Sequence, residues 1–488
     1  MTEAESPSTQ FHVVLKDDCP TCHLVIPVLE QLAEAGLPVR AYYQDDGDFL
    51  SSLGRSETAE VIDDTTLERS FRWGIEAVPT LLRVDDDNEV ARTVGWSRTD
   101  WAALTGVDGL GGDLKEWQPA CGSKSVEHGV PEVLRVRFGN PAIEARAVEL
   151  GEFQDAIEAC YDRGWSDGLP VVPPTPERIL RMLAGTPRDP QEVVGPMPPD
   201  LADCTVEKVA INAVMAGCKP EYLPVVLAVV EAALEPDCTL HGLTCSTCFS
   251  SPIVIVNGPV ARRIGMNSGL NALGQGNRAN ATIGRALNLI VRNVGGGRPG
   301  EIDRSTLGAP SKYTFCFAED ESDPAWEPLS VARGIPPGRS AVTLFQGDGL
   351  QGVMDQGSRT PEELTRSLAA SLLAVGHTKL CEWARAVLVI SPEHWGIYRA
   401  AGWDRTRITE ALHAACERPG SEVVRGAHGI GEGVPEDRRD ERVPKFHADG
   451  LLLVRAGGPA GLYSAILAGW PGHRAKDDSR PITREVPE

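Results

Sequence analysis

No stretch of this 488-residue sequence approaches the roughly 20 consecutive apolar residues of a membrane-spanning helix. Positive charge is in deficit: 47 Lys and Arg against 69 Asp and Glu give a formal net charge of −22. Such a surface repels phosphate backbones and anionic lipid, which argues against nucleic-acid and membrane partners. No Gly-Lys-Ser/Thr phosphate loop occurs, no glycine pattern has the dinucleotide-binding spacing, and no internal repeat or low-complexity tract is present. The opening MTEAESPSTQ lacks a basic segment followed by an apolar one, so it does not read as a secretory signal, and a reducing cytoplasmic location is expected. In that setting 12 cysteines are expected as thiols, ligands or catalysts rather than as structural disulfides.

What is present is an ordinary globular composition, 42% apolar and 24% charged, at a length that predicts several domains. Residues 1–10 are expected as a disordered tail. A strand is predicted at 11–16 and a helix over 22–36, with Leu24, Val25, Val28, Leu29 and Leu32 on one face and a kink at Pro27. Strands follow at 38–43 and 81–84, with a helix near 63–72 between them. EVARTVGW and a helix near 98–105 complete the order βαβαββα over 11–105. Residues 106–132, rich in glycine and polar residues, read as a linker. The remainder, 133–488, alternates strands and helices and predicts an α/β region of one or two domains, with a split near 330. Within it helices are expected at 151–163, from Thr205 to Gly217 and from about Pro220 to Leu234. Strands are expected at 252–256, 341–345, 386–390 and 450–455, the last two leading into turn-then-helix segments.

Cys19-Pro20-Thr21-Cys22 falls between the first strand and the first helix. A thiol at a helix N-terminus is favoured as thiolate by the dipole and free N–H groups, and Cys22, one turn on, is placed to resolve a mixed disulfide. Asp17 and Asp18, immediately before it, act in the opposite sense. Strand, CxxC, proline-interrupted helix and Val78-Pro79-Thr80 before a strand together resemble the thioredoxin family over roughly the first 105 residues. The resemblance implies a thioredoxin-like fold, a redox-active Cys19 and Cys22, and a cis Pro79 facing them. The sequence differs from the family in carrying acids instead of an aromatic before the dithiol and an insertion around 44–63. A zinc clip of Cys19, Cys22 and His23 is the alternative reading. The remainder resembles an uncharacterised bacterial α/β family, and that resemblance implies no chemistry.

Further thiols stand out. Cys218, in AGCKPEYLP, precedes a helix and is expected to have a lowered pKa. Cys238, His241, Cys245 and Cys248 share one segment and could hold zinc, copper or an iron–sulfur cluster, or Cys245 and Cys248 could form a second dithiol. Cys121, in the expected linker, is a candidate electron shuttle. Cys160, Cys204, Cys316, Cys381 and Cys416 are expected as core filler. The segment 271–300 places Asn277, Arg278, Asn280 and Arg285 at a glycine-rich helix entrance, a candidate seat for a substrate carboxylate. Trp165–Gly168 with Pro173-Pro174-Thr175 is a candidate pocket wall. His377, His394 and His428 are acid–base candidates.

The expected function is a thiol-dependent redox enzyme. Its front dithiol reduces a cysteine centre of the back region, which acts on a small anionic or sulfur-containing substrate by reduction or by carbon–sulfur or carbon–heteroatom chemistry. A thioredoxin-reductase-type electron donor, and an oligomeric state, belong to that expectation. A metalloenzyme, or a metal- or thiol-handling carrier, is the alternative.

Overall fold

A computed structural model describes residues 9–45, 60–86, 88–471 and 479–487. The chain divides into two compact units, Met1–Ala142 and Ile143–Glu488. Among the described residues no helix is long and apolar enough to cross a membrane.

Unit 1 contains β1 (Thr9–Leu15), α1 (Pro20–Glu34), β2 (Val39–Tyr43), β3 (Glu60–Asp63), α2 (Glu68–Arg72), β4 (Ala77–Val78), β5 (Thr80–Asp85), β6 (Asn88–Val94) and α3 (Arg98–Thr105). Its sheet runs β3-β2-β1-β5-β6, parallel among the first three strands and antiparallel on the other side. This is the thioredoxin-like arrangement, with two strands more than the expected order: β3 at the edge of the sheet and the short β4 outside it. Thr9 and Gln10, expected in the tail, open β1; residues 1–8 and most of the insertion lie outside the described residues. α1 begins at Cys19 as N-cap with Pro20 in its first turn, where a missing N–H costs nothing. Val25, Val28, Leu29 and Leu32 are buried from it onto the sheet, and Pro27 lies inside it as expected. Each such side chain contributes about 1.5–3 kcal/mol by leaving water.

The expected linker folds onto unit 1. Trp96–Ser97 pairs with Trp117–Gln118, β7 (Cys121–Gly122) pairs antiparallel with β4, and α4 (Val130–Phe138) packs on α2. Gly111 within it, and Gly95 just before it, serve close packing. A Cβ on Gly111, at φ +57°, would stand 2.8 Å from the Trp96 ring, and one on Gly95, at φ +78°, 3.0 Å from the backbone at 118–120.

Unit 2 contains α5 (Val206–Ala216), α6 (Leu223–Leu234), β8 (Ser251–Asn257), α7 (Arg278–Asn293), β9 (Cys316–Ala318), β10 (Ala341–Met354), β11 (Ala384–Ile390), β12 (Phe446–Arg455), β13 (Tyr463–Gly469) and β14 (Ile482–Glu485), with further helices between them. Its mixed sheet runs β9-β8-β10-β13-β11-β12, with β14 also paired to β10. Strands from both sides of residue 330 share this sheet, so the expected split there does not exist. Alternation sorts the faces: Val254 and Val256 pack with α5, α6 and α7, while Ile253 and Ile255 pack in a second core with Val387 and Val389. The helix expected after 455 is instead β13. YSAILAG is drawn extended because it sits antiparallel between β10 and β11, where its backbone groups are satisfied by the ladder. The helix expected at 151–163 is confined to Ala156–Asp162, capped by Asp155.

Candidate functional site

The dithiol stands at the β1–α1 junction. Cys19 has extended backbone and its Sγ accepts the Cys22 N–H at 3.4 Å, the N-cap contact of α1. On its other side Cys19 Sγ lies 3.5 Å from the Val78 carbonyl oxygen, in the strand that ends at the cis Val78–Pro79 bond. Cys22 is buried one turn inside the helix, and its Sγ accepts the Lys16 N–H at 3.5 Å.

The two thiols are driven apart electrostatically. The Cys22 thiol, together with the Cys121 thiol and the backbone N–H groups of Cys22 and Thr21, donates to Cys19 and outweighs its burial, lowering its pKa to about 5. Burial pushes the Cys22 thiol up. Asp18 does not oppose the thiolate as its sequence position implies. Its carboxylate is held by Lys16 Nζ at 2.9 Å, which draws its own pKa down. The Asp17 backbone N–H donates to the Asp45 carboxylate at 2.6 Å. The ring of His23 bonds the Asp17 carbonyl at 2.6 Å, which binds it to the preceding turn rather than to the two thiols.

Cys121 is not a thiol on a tether. β7 sets it opposite Val78, and the same segment is fastened where Thr21 Oγ1 donates to the Pro119 carbonyl at 2.7 Å. Cys121 therefore stands beside Cys19, half-buried, and its pKa is raised by burial and by donation to Cys19. The site holds three free thiols, Cys19, Cys22 and Cys121. Two-residue strands such as β4 and β7 are too short to give a periodic signal, so this neighbourhood has no trace in the sequence beyond the cysteine itself.

Unit 2 departs from the sequence expectations at each thiol. Cys218 follows the Gly217 cap of α5 but turns inward, donates to the Thr282 carbonyl at 3.4 Å, and has its pKa pushed up to about 12 by burial, not lowered. Cys238 is fully buried, takes the Gln346 amide N–H at 3.4 Å and is likewise pushed up to about 12, whereas His241 is exposed. Among the described residues no group of three or more His, Cys, Asp or Glu is placed to hold a metal ion. The ligand set Cys238, His241, Cys245 and Cys248 is thus not assembled. Cys245 and Cys248 remain half-buried, with burial raising the Cys245 thiol. Cys160, Cys204, Cys316, Cys381 and Cys416 are buried.

The polar segment at α7 is consumed by the fold. Asn277 caps α7 and donates to the Gly265 carbonyl, and Arg278 Nε donates to the Gly217 carbonyl. Buried Asn280 exchanges bonds with the backbone of Asn267 and donates to Ala272. Arg285 is clamped by Asp167 through two bonds of 2.8 Å and also meets the carbonyls of Leu169 and Pro170. Asn277, Asn280 and Arg285 are thus spent on tying loops to helix ends, and exposed Arg278 spends its Nε in the same way. His394 is fully buried between Ser464 and the Asp355 carbonyl, and His377 accepts the Lys379 N–H. His428, at φ 55°, lies on a surface turn.

No family model matches the chain, and no curated protein matches it. Among solved structures, StoA from Bacillus subtilis matches at 12% identity over 18% of this chain and 74% of that one, with a TM-score of 0.17. A secreted disulfide oxidoreductase of Mycobacterium tuberculosis, homologous to E. coli DsbE, matches at 14% identity over 20% of this chain and 81% of that one, with a TM-score of 0.18.

Proposed function

We propose that this chain carries out thiol–disulfide exchange through unit 1, with Cys19 as nucleophile and Cys22 as resolving thiol. The observation that carries the reading is the N-cap contact of Cys19, whose sulfur accepts the Cys22 N–H at 3.4 Å; both residues are buried, and only Cys19 has its thiolate favoured there. The Cys19 thiolate attacks one sulfur of a disulfide, forming a mixed disulfide and releasing one thiolate, which takes up a proton. Cys22 gives up its proton and attacks Cys19 Sγ, releasing the second thiol. The acceptor disulfide gains two electrons and the dithiol becomes a disulfide, which a dithiol donor of the thioredoxin-reductase type restores.

Within the same reading unit 1 serves a thiol centre of unit 2 that acts on a small anionic or sulfur-containing substrate. Cys245 and Cys248 are the acceptors retained, because the other cysteines described in unit 2 are buried. Cys218 is set aside because its thiol donates to the Thr282 carbonyl and burial pushes its pKa up to about 12.

The test traps the intermediate. Cys22→Ser and Cys121→Ser are combined so that neither neighbour can release a partner from Cys19. The oxidised protein is digested and its cross-links mapped by mass spectrometry. A bond from Cys19 to Cys245 or Cys248 supports service to unit 2. A Cys19 that captures an added small disulfide but no cysteine of unit 2 would confine the activity to outside partners. A Cys19 that captures neither overturns the exchange reading itself.

A further inference from the structure

A cavity of about 570 Å³ lies wholly within unit 2, between residues 143–150, the 160–176 segment, α5 and the C-terminal end of α7. Its volume is that of a small-molecule site. Trp165, Pro173, Pro174, Ile179, Ile211 and Met215 give it apolar walls. Arg146, Arg163, Lys208 and Arg298 also line it, and no carboxylate does, in a chain whose net charge is −22. None of these four cations is ion-paired among the described residues. Arg163 and Lys208 bond only to backbone carbonyls, of Ala159 and Asp203.

Two polar atoms at the cavity are buried without a partner, Arg298 Nε and Asn293 Oδ1. The orientation of Asn293 is fixed by its own amide, whose Nδ2 donates to the Trp165 carbonyl at 3.0 Å and to Asn212 Oδ1 at 2.9 Å. Asn212 is held in turn by donating to the Lys208 carbonyl at 2.9 Å. Two side chains that line the cavity, Arg298 and Asn293, thus each carry an unpartnered polar atom closed off from solvent, beside an apolar wall. An unsatisfied buried donor or acceptor is costly, and a ligand that completes both removes that cost.

From these features we infer that the cavity binds a small organic carboxylate with an apolar body and a hydroxyl or N–H donor next to the carboxylate. The carboxylate meets Arg298, the donor meets Asn293 Oδ1, and the body lies on Trp165, Ile211 and Met215. The anion site of unit 2 is then at the far end of α7 from Asn277 and Arg278, where the sequence pattern drew attention. The assignment owes nothing to the dithiol of unit 1 and stands or falls separately.

The test uses the full chain and three probes of one body: 2-hydroxyoctanoate, octanoate and 1,2-octanediol, titrated calorimetrically. One 2-hydroxyoctanoate per chain is expected, bound at least about tenfold tighter than the diol, the scale of a charge-assisted contact. Octanoate is expected between the two. Arg298→Gln should remove the preference of acid over diol, and Arg298→Lys should restore part of it. Equal binding of acid and diol, no binding of either, or an acid preference that survives in Arg298→Gln would overturn the assignment. Should Arg298→Gln not fold, the wild-type melting temperature decides instead. A rise with saturating 2-hydroxyoctanoate and none with the diol upholds it, and equal responses overturn it.

Discussion

Cys19 and Cys218 both precede a helix, and the sequence offers the same argument for each. Their chemistry diverges because of side-chain direction. Cys19 turns back over the first turn of α1, so its sulfur meets the N–H groups of the helix start and a second thiol, and its pKa falls to about 5. Cys218 turns away from the helix it precedes, buries against α7 and bonds a carbonyl, which stabilises the thiol form and pushes its pKa up to about 12. A helix N-terminus activates a cysteine only when the sulfur faces the N–H groups and no low-polarity wall intervenes. The arginines teach the same lesson in reverse. Arg285, in a segment that looks built for an anion, is already neutralised by Asp167, whereas Arg298, in a plain glycine-rich stretch, has an unused donor.

The largest effect that tests the contrast is on reactivity. Cys19→Ser should reduce disulfide-exchange activity, measured by turbidity with insulin, by at least about 1000-fold, as loss of a nucleophile does. Cys218→Ser should leave it within about twofold. A comparable loss from both would erase the distinction.

Next in size is the half-buried Arg285–Asp167 ion pair. Arg285→Ala or Asp167→Ala leaves one half-buried charge without its partner and should cost about 1–3 kcal/mol in urea unfolding, with the double variant less destabilised than the sum. Single variants that unfold like wild type would return Arg285 to candidacy as a ligand group.

The smallest effect sharpens the account of Cys19. Its pKa is lowered, so the thiolate predominates above the folded value, and alkylation by iodoacetamide should rise as pH rises through about 5 and then level off. Cys22→Ala removes the foremost donor to that thiolate and should move the midpoint to higher pH. Cys121→Ala removes a lesser donor and should move it upward by less. Equal shifts, or a downward shift, would show that the three thiols are not coupled as their placement implies.

The sequence by itself determined the larger framework. Apolar periodicity and capping residues are local signals, so α1, the Thr205–Gly217 helix and the four predicted unit 2 strands lie where their patterns place them. CxxC between a strand and a helix likewise located the dithiol, because backbone geometry over a few residues fixes both sulfurs. Tertiary structure alone decided the rest. Cys121 reaches Cys19 through a two-residue bridge closed across more than 40 residues of chain, Lys16 neutralises Asp18, and β13 is extended only because two strands flank it. Whether a polar group is spent or available, as for Arg285 and Arg298, depends on which loop returns to meet it. That is set by the packing of distant segments, on which local composition is silent.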